Sequence, residues 1–340
     1  MINFYKALFF LTLTGGTLVS ISSNSWLGMW IGLEINLLSI IPLMNNSKNI
    51  FSSEASLKYF VTQVLASSIL LFAVISMILG TGSPFALFMD QPAMMILNSA
   101  LFTKMGAAPF HFWFPEVIEG LNWNNATILL TWQKIAPMTI IMYTSSTIVF
   151  IIVSILFSMA VSGILGLNQT SLRKILAYSS INHIGWMLAS MLFIETAWIH
   201  YFAIYSLITL NITFMLKKFN IFYANQMTGL LSSNPMIKLL FAMNFLSLGG
   251  LPPFLGFLPK WMVIQNMISL GLTTTTVTMI IMTILTIYFY LRLIFSSTLL
   301  TNTELNIIAS NSSMNWFTLI TLNFLALTSL IFCTLIFNWI

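Results

Sequence analysis

The stretch Leu101–Glu116, LFTKMGAAPFHFWFPE, has a counterpart at Phe245–Lys260, FLSLGGLPPFLGFLPK. Moving the first onto the second by 144 positions aligns four identical pairs: Gly106 with Gly250, Pro109 with Pro253, Phe110 with Phe254, and Pro115 with Pro259. Both stretches are apolar, yet Gly and Pro interrupt helices, and proline leaves a carbonyl without its donor. Inside a bilayer such an interruption survives only within protein or beside a water-filled cavity. Two broken helices at matching positions therefore indicate a transport site.

The composition of the whole chain excludes a soluble domain. Its 340 residues are 58% hydrophobic and 6% charged, with a mean hydropathy of +0.95, whereas a soluble surface carries roughly a quarter or more charged residues. The bilayer is therefore the expected solvent. The net charge of +5 comes from scattered basic residues, which do not form the clustered patch that binds nucleic acid.

Residues that commonly hold cofactors are scarce in this chain. The one cysteine, Cys333, cannot form an internal disulfide, and an iron–sulfur cluster usually needs four ligands. The three histidines are spaced for no familiar metal motif, and no phosphate-binding loop or dinucleotide fingerprint is found. We therefore expect no cofactor to be bound by this chain alone.

Apolar runs of about 20 residues predict an all-α polytopic membrane protein with eleven transmembrane helices. The predicted helices cover about 4–22, 25–44, 54–80, 92–118, 125–144, 146–167, 170–193, 197–219, 236–269, 273–297 and 314–338. The fourth and ninth carry the interruptions and lie five helices apart, so they should cross in opposite directions. Residues 1–340 are expected to form one membrane domain of two inverted five-helix repeats, about 1–145 and 146–298, with the helix at 314–338 left over.

The placement of charges agrees with this division. Eleven helices put the N-terminus and alternate loops on one side, which then holds nine of the twelve basic residues: Lys6, Lys48, Lys58, Arg173, Lys174, Lys217, Lys218, Lys238 and Arg292. The opposite side has none, only Asp90 and Glu195. Such asymmetry follows the positive-inside rule and predicts an N-terminus on the positive side with the C-terminus opposite.

Among the Lys, Arg, Asp and Glu residues, four lie well inside predicted spans, away from their ends: Glu34, Lys104, Lys134 and Lys260. Each ion near the bilayer centre costs roughly 2.5–3.5 kcal/mol, so these side chains must pair, hydrate or become neutral. A buried lysine that alternates between charged and neutral forms takes up and releases a proton. A carboxylate about 4 Å away stabilises the charged amine by roughly 4 kcal/mol at an effective dielectric of about 20. Moving one charge against 100 mV costs about 2.3 kcal/mol, which is less than the energy of one such pair. Opening and closing a pair between Glu34, as modulator, and Lys104 could therefore drive one proton against the membrane potential.

Structural roles are the alternative for each polar residue. A lone intramembrane lysine can snorkel to the interface or pair structurally, most readily Lys260, which is nearest a segment end. His111, inside the first interruption, either hydrogen-bonds a freed carbonyl or relays protons. Ser179, Asn182, His183 and Trp186 share one helix face, where such residues serve as packing contacts or as a relay. Glu54 and Lys58 are expected to form a surface i,i+4 pair. Glu116 and Glu119 either lie on a solvated loop face or line an entry.

The stretches around these residues resemble a known family. They are NSWLGMWIGLEINLLSIIPL (24–43), EASLKYFVTQVLAS (54–67), KMGAAPFHFWFPEV (104–117), LTWQKIAPM (130–138), GLNQTSLRKILAYSSINHIGWM (166–187) and NFLSLGGLPPFLGFLPKW (244–261). They cover most of the chain, and the sequence is similar to the antiporter-like subunits of mitochondrial NADH–ubiquinone oxidoreductase (complex I), in particular those of insects. The family has a general pattern of fourteen helices, of which this chain has room for eleven.

The resemblance implies roles for the residues that match the family's motifs. It implies proton translocation by Glu34, Lys104, Lys134 and Lys260, with His111, His183 and Ser179 as candidate relay groups. It implies that NAD, FMN, iron–sulfur clusters and ubiquinone belong to other parts of the complex. The implied partners are neighbouring antiporter-like and small membrane subunits and lipids such as cardiolipin, with no nucleic acid. The implied location is the mitochondrial inner membrane, with the N-terminus on the matrix side and the C-terminus facing the intermembrane space.

Two other functions are compatible with the residues. A free-standing sodium/proton exchanger would use the same broken helices and buried ions, and would be active when purified alone. A purely structural membrane scaffold would gain stability, without loss of function, when all four intramembrane ions are neutralised together.

Overall fold

The computed structural model describes residues 4–45, 49–81, 91–144, 147–192, 195–231 and 235–299. In these ranges the chain is helical, with one isolated bridge between Ser171 and Tyr223. The helices are α1 Phe4–Ser22, α2 Trp26–Met44, α3 Ile50–Thr81, α4 Gln91–Met105, α5 Trp113–Gly120, α6 Trp123–Leu130, α7 Ile135–Met142, α8 Ile148–Gly166, α9 Leu172–Met191, α10 Glu195–Lys218, α11 Ala224–Leu231, α12 Pro235–Gly249, α13 Phe257–Ser269 and α14 Thr273–Leu299. A 3-10 turn, Trp132–Lys134, lies between α6 and α7.

Six stretches in the described ranges are long and apolar enough to cross a membrane. They are Phe4–Ser22, Trp26–Met44, Ile50–Gly80, Ile148–Gly166, Thr196–Lys218 and Thr273–Ser296. The fold is therefore an all-α membrane fold with multiple spans, as predicted. The count of eleven helices and the inverted repeats stay predictions, and the expected helix at 314–338 lies outside the described residues.

Both predicted interruptions are present, and they have the same backbone. Gly106 has φ of 76° and Gly250 has φ of 77°, a left-handed conformation that glycine adopts without steric cost. Each glycine N–H bonds the carbonyl three residues back, at Thr103 and Ser247, and the next N–H bonds the carbonyl five residues back. This pair of bonds is the Schellman motif that ends a helix. A cis peptide bond precedes Pro109 and Pro253.

Two features differ from the predicted helix boundaries. The segment at 125–144 is not one helix, because α6 ends at Leu130 and the 3-10 turn separates it from α7. Pro137 explains the interruption, since it has no N–H for the Gln133 carbonyl and its ring crowds that carbonyl. The short helix α11 lies in a connection for which no helix was predicted.

The chain divides into two compact units, with the boundary between Ser158 and Met159. In the first unit α1 and α2 approach closely at two glycines, because a Cβ on Gly32 would lie 2.5 Å from the Ser20 nitrogen and one on Gly16 would lie 2.9 Å from the Asn36 nitrogen. In the second unit α9 is almost entirely buried and packs against α10, α13 and α14. The first unit therefore contains a closely packed helix pair, and the second contains a buried helix that carries polar side chains such as Ser179 and His183.

Candidate functional site

Lys104 lies on the last turn of α4, immediately before the first break, and its side chain is buried in the first unit. It lines a cavity with an empty volume of about 250 Å³, which includes the space at the open side. The other lining residues are Leu33, Asn36, Leu37, Tyr59, Gln63, Gln133 and Pro137. The lysine therefore faces a small, partly polar space of about the size that a single water molecule needs.

Three amide side chains supply most of the polarity of this cavity. Gln133 Nε2 donates to Asn36 Oδ1 at 2.8 Å. Gln63 is buried, and its Nε2 has no hydrogen-bond partner among the described residues. Because buried amides are normally hydrogen-bonded by protein or water, the cavity favours hydration next to Lys104. Sequence analysis missed these amides, although a glutamine within an apolar run is a signal that could have indicated them.

Glu34 lies on α2 and is half-buried. Its Oε2 atom is enclosed and has no hydrogen-bond partner within the described ranges. Glu34 and Lys104 are close enough for the carboxylate charge to act on the amine, but no ion pair closer than 4 Å joins these two described residues. They are therefore within electrostatic range without direct contact.

Lys134 is 1% exposed and ends the 3-10 turn between α6 and α7. Its Nζ lies 6.0 Å from the centroid of the Phe114 ring, which belongs to α5 directly after the first break. The adjacent residue Gln133 lines the cavity that Lys104 shares. The interruption at Pro137 and the break at Gly106 thus bring Lys104 and Lys134 to the same part of the first unit.

His111 lies inside the first break and is buried. Its Nδ1 is 3.3 Å from the Pro109 carbonyl oxygen, and its ring lies against Phe112 with centroids 4.4 Å apart. Its Nε2 is enclosed without a hydrogen-bond partner in the described part of the chain. The contact with Pro109 agrees with the expectation of a hydrogen bond to a carbonyl of the break, and Nε2 leaves one nitrogen for a relay.

Lys260 lies on the first turn of α13, after the second break, and is buried in the second unit. Its Nζ donates to the carbonyl of Gly249, the last residue of α12, at 2.7 Å. The Trp186 ring of α9 is centred 5.9 Å from the same nitrogen, within the range of a cation–π contact. Lys260 therefore does not snorkel to a surface of this unit.

One face of α9 carries Ser179, His183 and Trp186, as helical spacing predicts. His183 Nδ1 lies 2.9 Å from the Tyr201 hydroxyl on α10, whereas the Ser179 hydroxyl donates to the Leu176 carbonyl of its own helix at 2.8 Å. Together with the Trp186–Lys260 contact, this face reaches two neighbouring helices, α10 and α13, through polar or aromatic groups. Sequence analysis missed Tyr201, because a residue's partner on another helix leaves no local pattern.

Lys58 lies in a cluster of three charged surface side chains in the first unit, together with Glu54 and Glu116. Its Nζ lies 3.0 Å from Glu54 Oε1, which confirms the predicted i,i+4 pair, and 2.9 Å from Glu116 Oε2. All three side chains are substantially exposed. Glu116 therefore lies on a solvated face as expected, and the second contact ties α5 to α3.

The polar groups gathered here are amines, a carboxylate, amides, hydroxyls and imidazoles. Within the described residues no three His, Cys, Asp or Glu side chains come close enough to hold a metal ion, and Cys333 lies outside those residues. The donor set does not fit an iron–sulfur cluster or a metal site. Its amines, carboxylate, imidazoles and hydroxyls can take up or pass on a proton, and its amides can hydrogen-bond to water beside them.

Comparison with known proteins identifies related chains. A family model described as "NADH:quinone oxidoreductase/Mrp antiporter, TM" matches residues 23–286. NADH-ubiquinone oxidoreductase chain 2 of Anopheles gambiae is 50% identical over 333 residues, which are 97% of each chain. The protein of the same name from Locusta migratoria is 46% identical over 89% of this chain and 88% of its own length. That of Mammuthus primigenius is 41% identical over 90% and 88%.

Solved structures show the same fold. A chain of respiratory complex I from Thermus thermophilus superposes with a TM-score of 0.87 at 25% identity, covering 98% of this chain and 79% of that one. A chain of the Mrp complex from a Dietzia species gives a TM-score of 0.78 at 20% identity, covering 85% and 59%. A chain of an archaeal membrane-bound sulfane sulfur reductase gives 0.83 at 17% identity, covering 98% and 74%. The latter two likenesses concern the fold alone.

Proposed function

Because the chain belongs to the NADH-ubiquinone oxidoreductase chain 2 family, within the NADH:quinone oxidoreductase/Mrp antiporter membrane proteins, we propose that it is a proton-translocating core membrane subunit of respiratory complex I. It couples NADH:ubiquinone oxidoreduction to proton pumping and is an integral, multi-pass protein of the mitochondrial inner membrane. Its own residues carry protons, and the redox chemistry takes place elsewhere in the complex, where NAD, FMN, iron–sulfur clusters and ubiquinone are bound.

One observation carries this proposal: three buried lysines each lie at an interruption of a helix. Lys104 precedes the first break, Lys134 ends the 3-10 turn, and Lys260 follows the second break. An interrupted helix presents unpaired carbonyls and a partial negative charge at its C-terminal end, which stabilise an ammonium group. Away from such a position a charged lysine in a bilayer is strongly unfavourable. The C-terminal ends of α4 and α12 therefore favour the ammonium forms of Lys104 and Lys260, and each of the three interruptions lies beside a lysine that can hold a proton and release it.

The proposed roles follow from the contacts in each unit. Glu34, within electrostatic range of Lys104, modulates the proton affinity of that lysine when their pair opens and closes. Lys134 is the central proton carrier of the first unit, and Lys260 is the carrier of the second. His111, His183 and Ser179 are proposed relay groups, supported for His183 by its contact with the Tyr201 hydroxyl and for Ser179 by its place on the same buried helix face.

The surroundings of the chain are part of the proposal. Its partners are other membrane subunits of complex I, including neighbouring antiporter-like and small membrane chains, and lipids such as cardiolipin. The N-terminus lies on the matrix side and the C-terminus on the intermembrane-space side, as the distribution of basic residues favours.

Replacing Lys134 with Met tests the proposal in the assembled complex. Methionine fills a similar volume without a titratable group, so the complex should assemble while proton pumping and NADH:ubiquinone turnover fall by about tenfold or more. In proteoliposomes, pumping is measured as the rate of proton uptake and turnover as the rate of NADH oxidation. Lys6, which is exposed on α1, provides the matched control: Lys6→Met should pump normally. Normal pumping by an assembled Lys134→Met complex would contradict the role of Lys134.

The likeness to Mrp antiporter chains favours a sodium/proton exchanger as the second candidate function. The two functions are separated by measuring sodium and proton flux in liposomes that contain the purified chain alone and in liposomes that contain the whole complex. Proton movement that requires NADH oxidation and is independent of sodium supports the complex I function. Sodium-coupled exchange by the isolated chain would support the exchanger.

A further inference from the structure

The end of α12 is shaped around the Lys260 side chain. The helix closes with a Schellman motif, in which Gly250 N–H bonds the Ser247 carbonyl at 3.0 Å and Leu251 N–H bonds the Leu246 carbonyl at 3.3 Å. The carbonyl of Gly249, the last residue of α12, accepts a hydrogen bond from the Lys260 ammonium at 2.7 Å. Lys260, which lies on α13 beyond the break, thus caps the C-terminus of α12.

Gly250 leaves the space that this contact needs. A Cβ at position 250 would lie 2.7 Å from Lys260 Cδ, 3.0 Å from Cε and 3.0 Å from Nζ. A heavy atom closer than 3.0 Å to a Cβ has to shift, so a side chain at position 250 would push the flexible Lys260 side chain aside and move its ammonium relative to the Gly249 carbonyl. The missing side chain of Gly250 and the position of the Lys260 ammonium are therefore two parts of one arrangement.

We propose that Gly250 is a positioning residue for proton translocation: by lacking a side chain, it keeps the Lys260 amine seated on the Gly249 carbonyl. The proposal rests on the proposed function of Lys260 as a proton carrier. It goes further in naming the group that holds the proton-loaded form and the residue that keeps that group within reach.

The Gly249 carbonyl differs from a carboxylate partner in one chemical respect. It offers a partial negative charge at a helix C-terminus and cannot itself be protonated. Among the described residues no carboxylate lies within 4 Å of Lys260. Loading and unloading of this lysine therefore leave its partner unchanged, in contrast with Lys104, whose neighbour Glu34 is titratable. Losing a hydrogen bond to a charged donor changes an equilibrium by about tenfold or more, so displacing the amine should impair proton loading to that degree.

Gly271 offers a matched control in the same unit. It has φ of 78°, and it closes α13 with the same two bonds, Gly271 N–H to Ile268 O at 3.0 Å and Leu272 N–H to Met267 O at 3.1 Å. A Cβ at Gly271 would meet nothing within 4 Å. An alanine at 271 therefore carries the conformational cost of a left-handed residue without touching Lys260.

The experiment compares G250A and G271A, each alone and combined with K260M, in assembled complex I reconstituted in proteoliposomes. We expect G250A to lower the protons pumped per NADH by at least about twofold, with G271A close to the parent protein. We further expect G250A to add no loss in the K260M background, because residues that act through one group are non-additive. A general structural defect would instead lower the amount of assembled complex and would persist in the double variant.

If G250A assembles poorly, asparagine replaces alanine at both positions, because Asn220 already adopts φ of 51° at the end of α10 and asparagine tolerates this conformation. Pumping by G250A or G250N equal to that of the matching variant at 271 would overturn the proposal, and so would an additive loss with K260M. Normal pumping by K260M would instead overturn the role of Lys260 in the proposed function, and the inference with it.

Discussion

The two broken segments have the same backbone and use it for different chemistry. At the shared 144-residue spacing, the hydrogen bonds at Gly106 and Gly250 have matching partners, and so do the bonds made by Phe110 and Phe254. The last aligned position is Glu116 in the first segment, where the side chain is exposed and paired with Lys58. In the second the corresponding Lys260 is buried against a backbone carbonyl. The same backbone break can therefore be followed by an exposed, paired carboxylate or by a buried amine. The side chains and carbonyls around the break decide which of the two is stable there.

The ions of the two segments also have different partners. Lys104 precedes its break, lines a partly polar cavity and feels the charge of Glu34. Lys260 follows its break and takes the Gly249 carbonyl. A titratable partner allows the charge state of one group to control the other, whereas a carbonyl holds the ammonium without changing its own charge. We therefore expect the first lysine to respond to the state of its neighbour and the second to respond to geometry.

The largest effect is expected from making the second segment like the first, with Lys260→Glu. A carboxylate at this position would be buried beside the negative end of α12, with no described cation to pair with it. Leaving a buried charge unpaired costs about 3–5 kcal/mol, so the amount of assembled complex and its thermal midpoint should both fall. Both are measured by native electrophoresis and thermal denaturation of the solubilised complex.

Lys260→Met is the control for this change, because it removes the charge and keeps most of the volume. It should assemble normally and show only a reduced number of protons pumped per NADH. A Lys260→Glu complex that assembles and melts like the parent would show that the two segments provide equivalent environments, and the comparison would fail.

An intermediate effect is expected from Glu34→Gln, which removes the titratable partner of the first segment alone. Proton pumping should fall several-fold, because the Coulomb interaction that modulates Lys104 is lost. The measurement is protons pumped per NADH in single and double variants. The loss should disappear in a Lys104→Met background, because Glu34 acts on Lys104, and it should persist in a Lys260→Met background.

The contrary result is equally clear. Equal losses from Glu34→Gln in both lysine backgrounds would mean that Glu34 acts on the whole chain rather than on the first segment. In that case the carboxylate is no modulator of Lys104.

Much of this comparison could be predicted from the sequence, and the rest could not, for physical reasons. Glycine and proline report their backbone effects locally, so both breaks were predicted, and α1 begins and ends where its apolar run does. Pro137 carried the same local signal, but a single proline also occurs in continuous membrane helices, and the division at Lys134 was missed. The cavity amides and the Tyr201 contact arise from tertiary packing. The family and its function were predicted from motifs, whereas the helix count, the repeats and the residue roles stay predictions.

The smallest effect is expected from the reciprocal change, Glu116→Lys, which makes the first segment like the second at the matching position. The new lysine would lie on an exposed face beside Lys58. The substitution would remove the Glu116–Lys58 ion pair, in which both side chains are exposed to solvent. Exposed pairs contribute little and are screened by salt, so assembly, thermal midpoint and pumping should stay close to those of the parent. The comparison is made at low and high ionic strength, where any small repulsion between the two lysines should vanish with added salt. A large loss of pumping that salt does not restore would show that Glu116 serves the break itself, and the two segments would then be chemically closer than their contacts indicate.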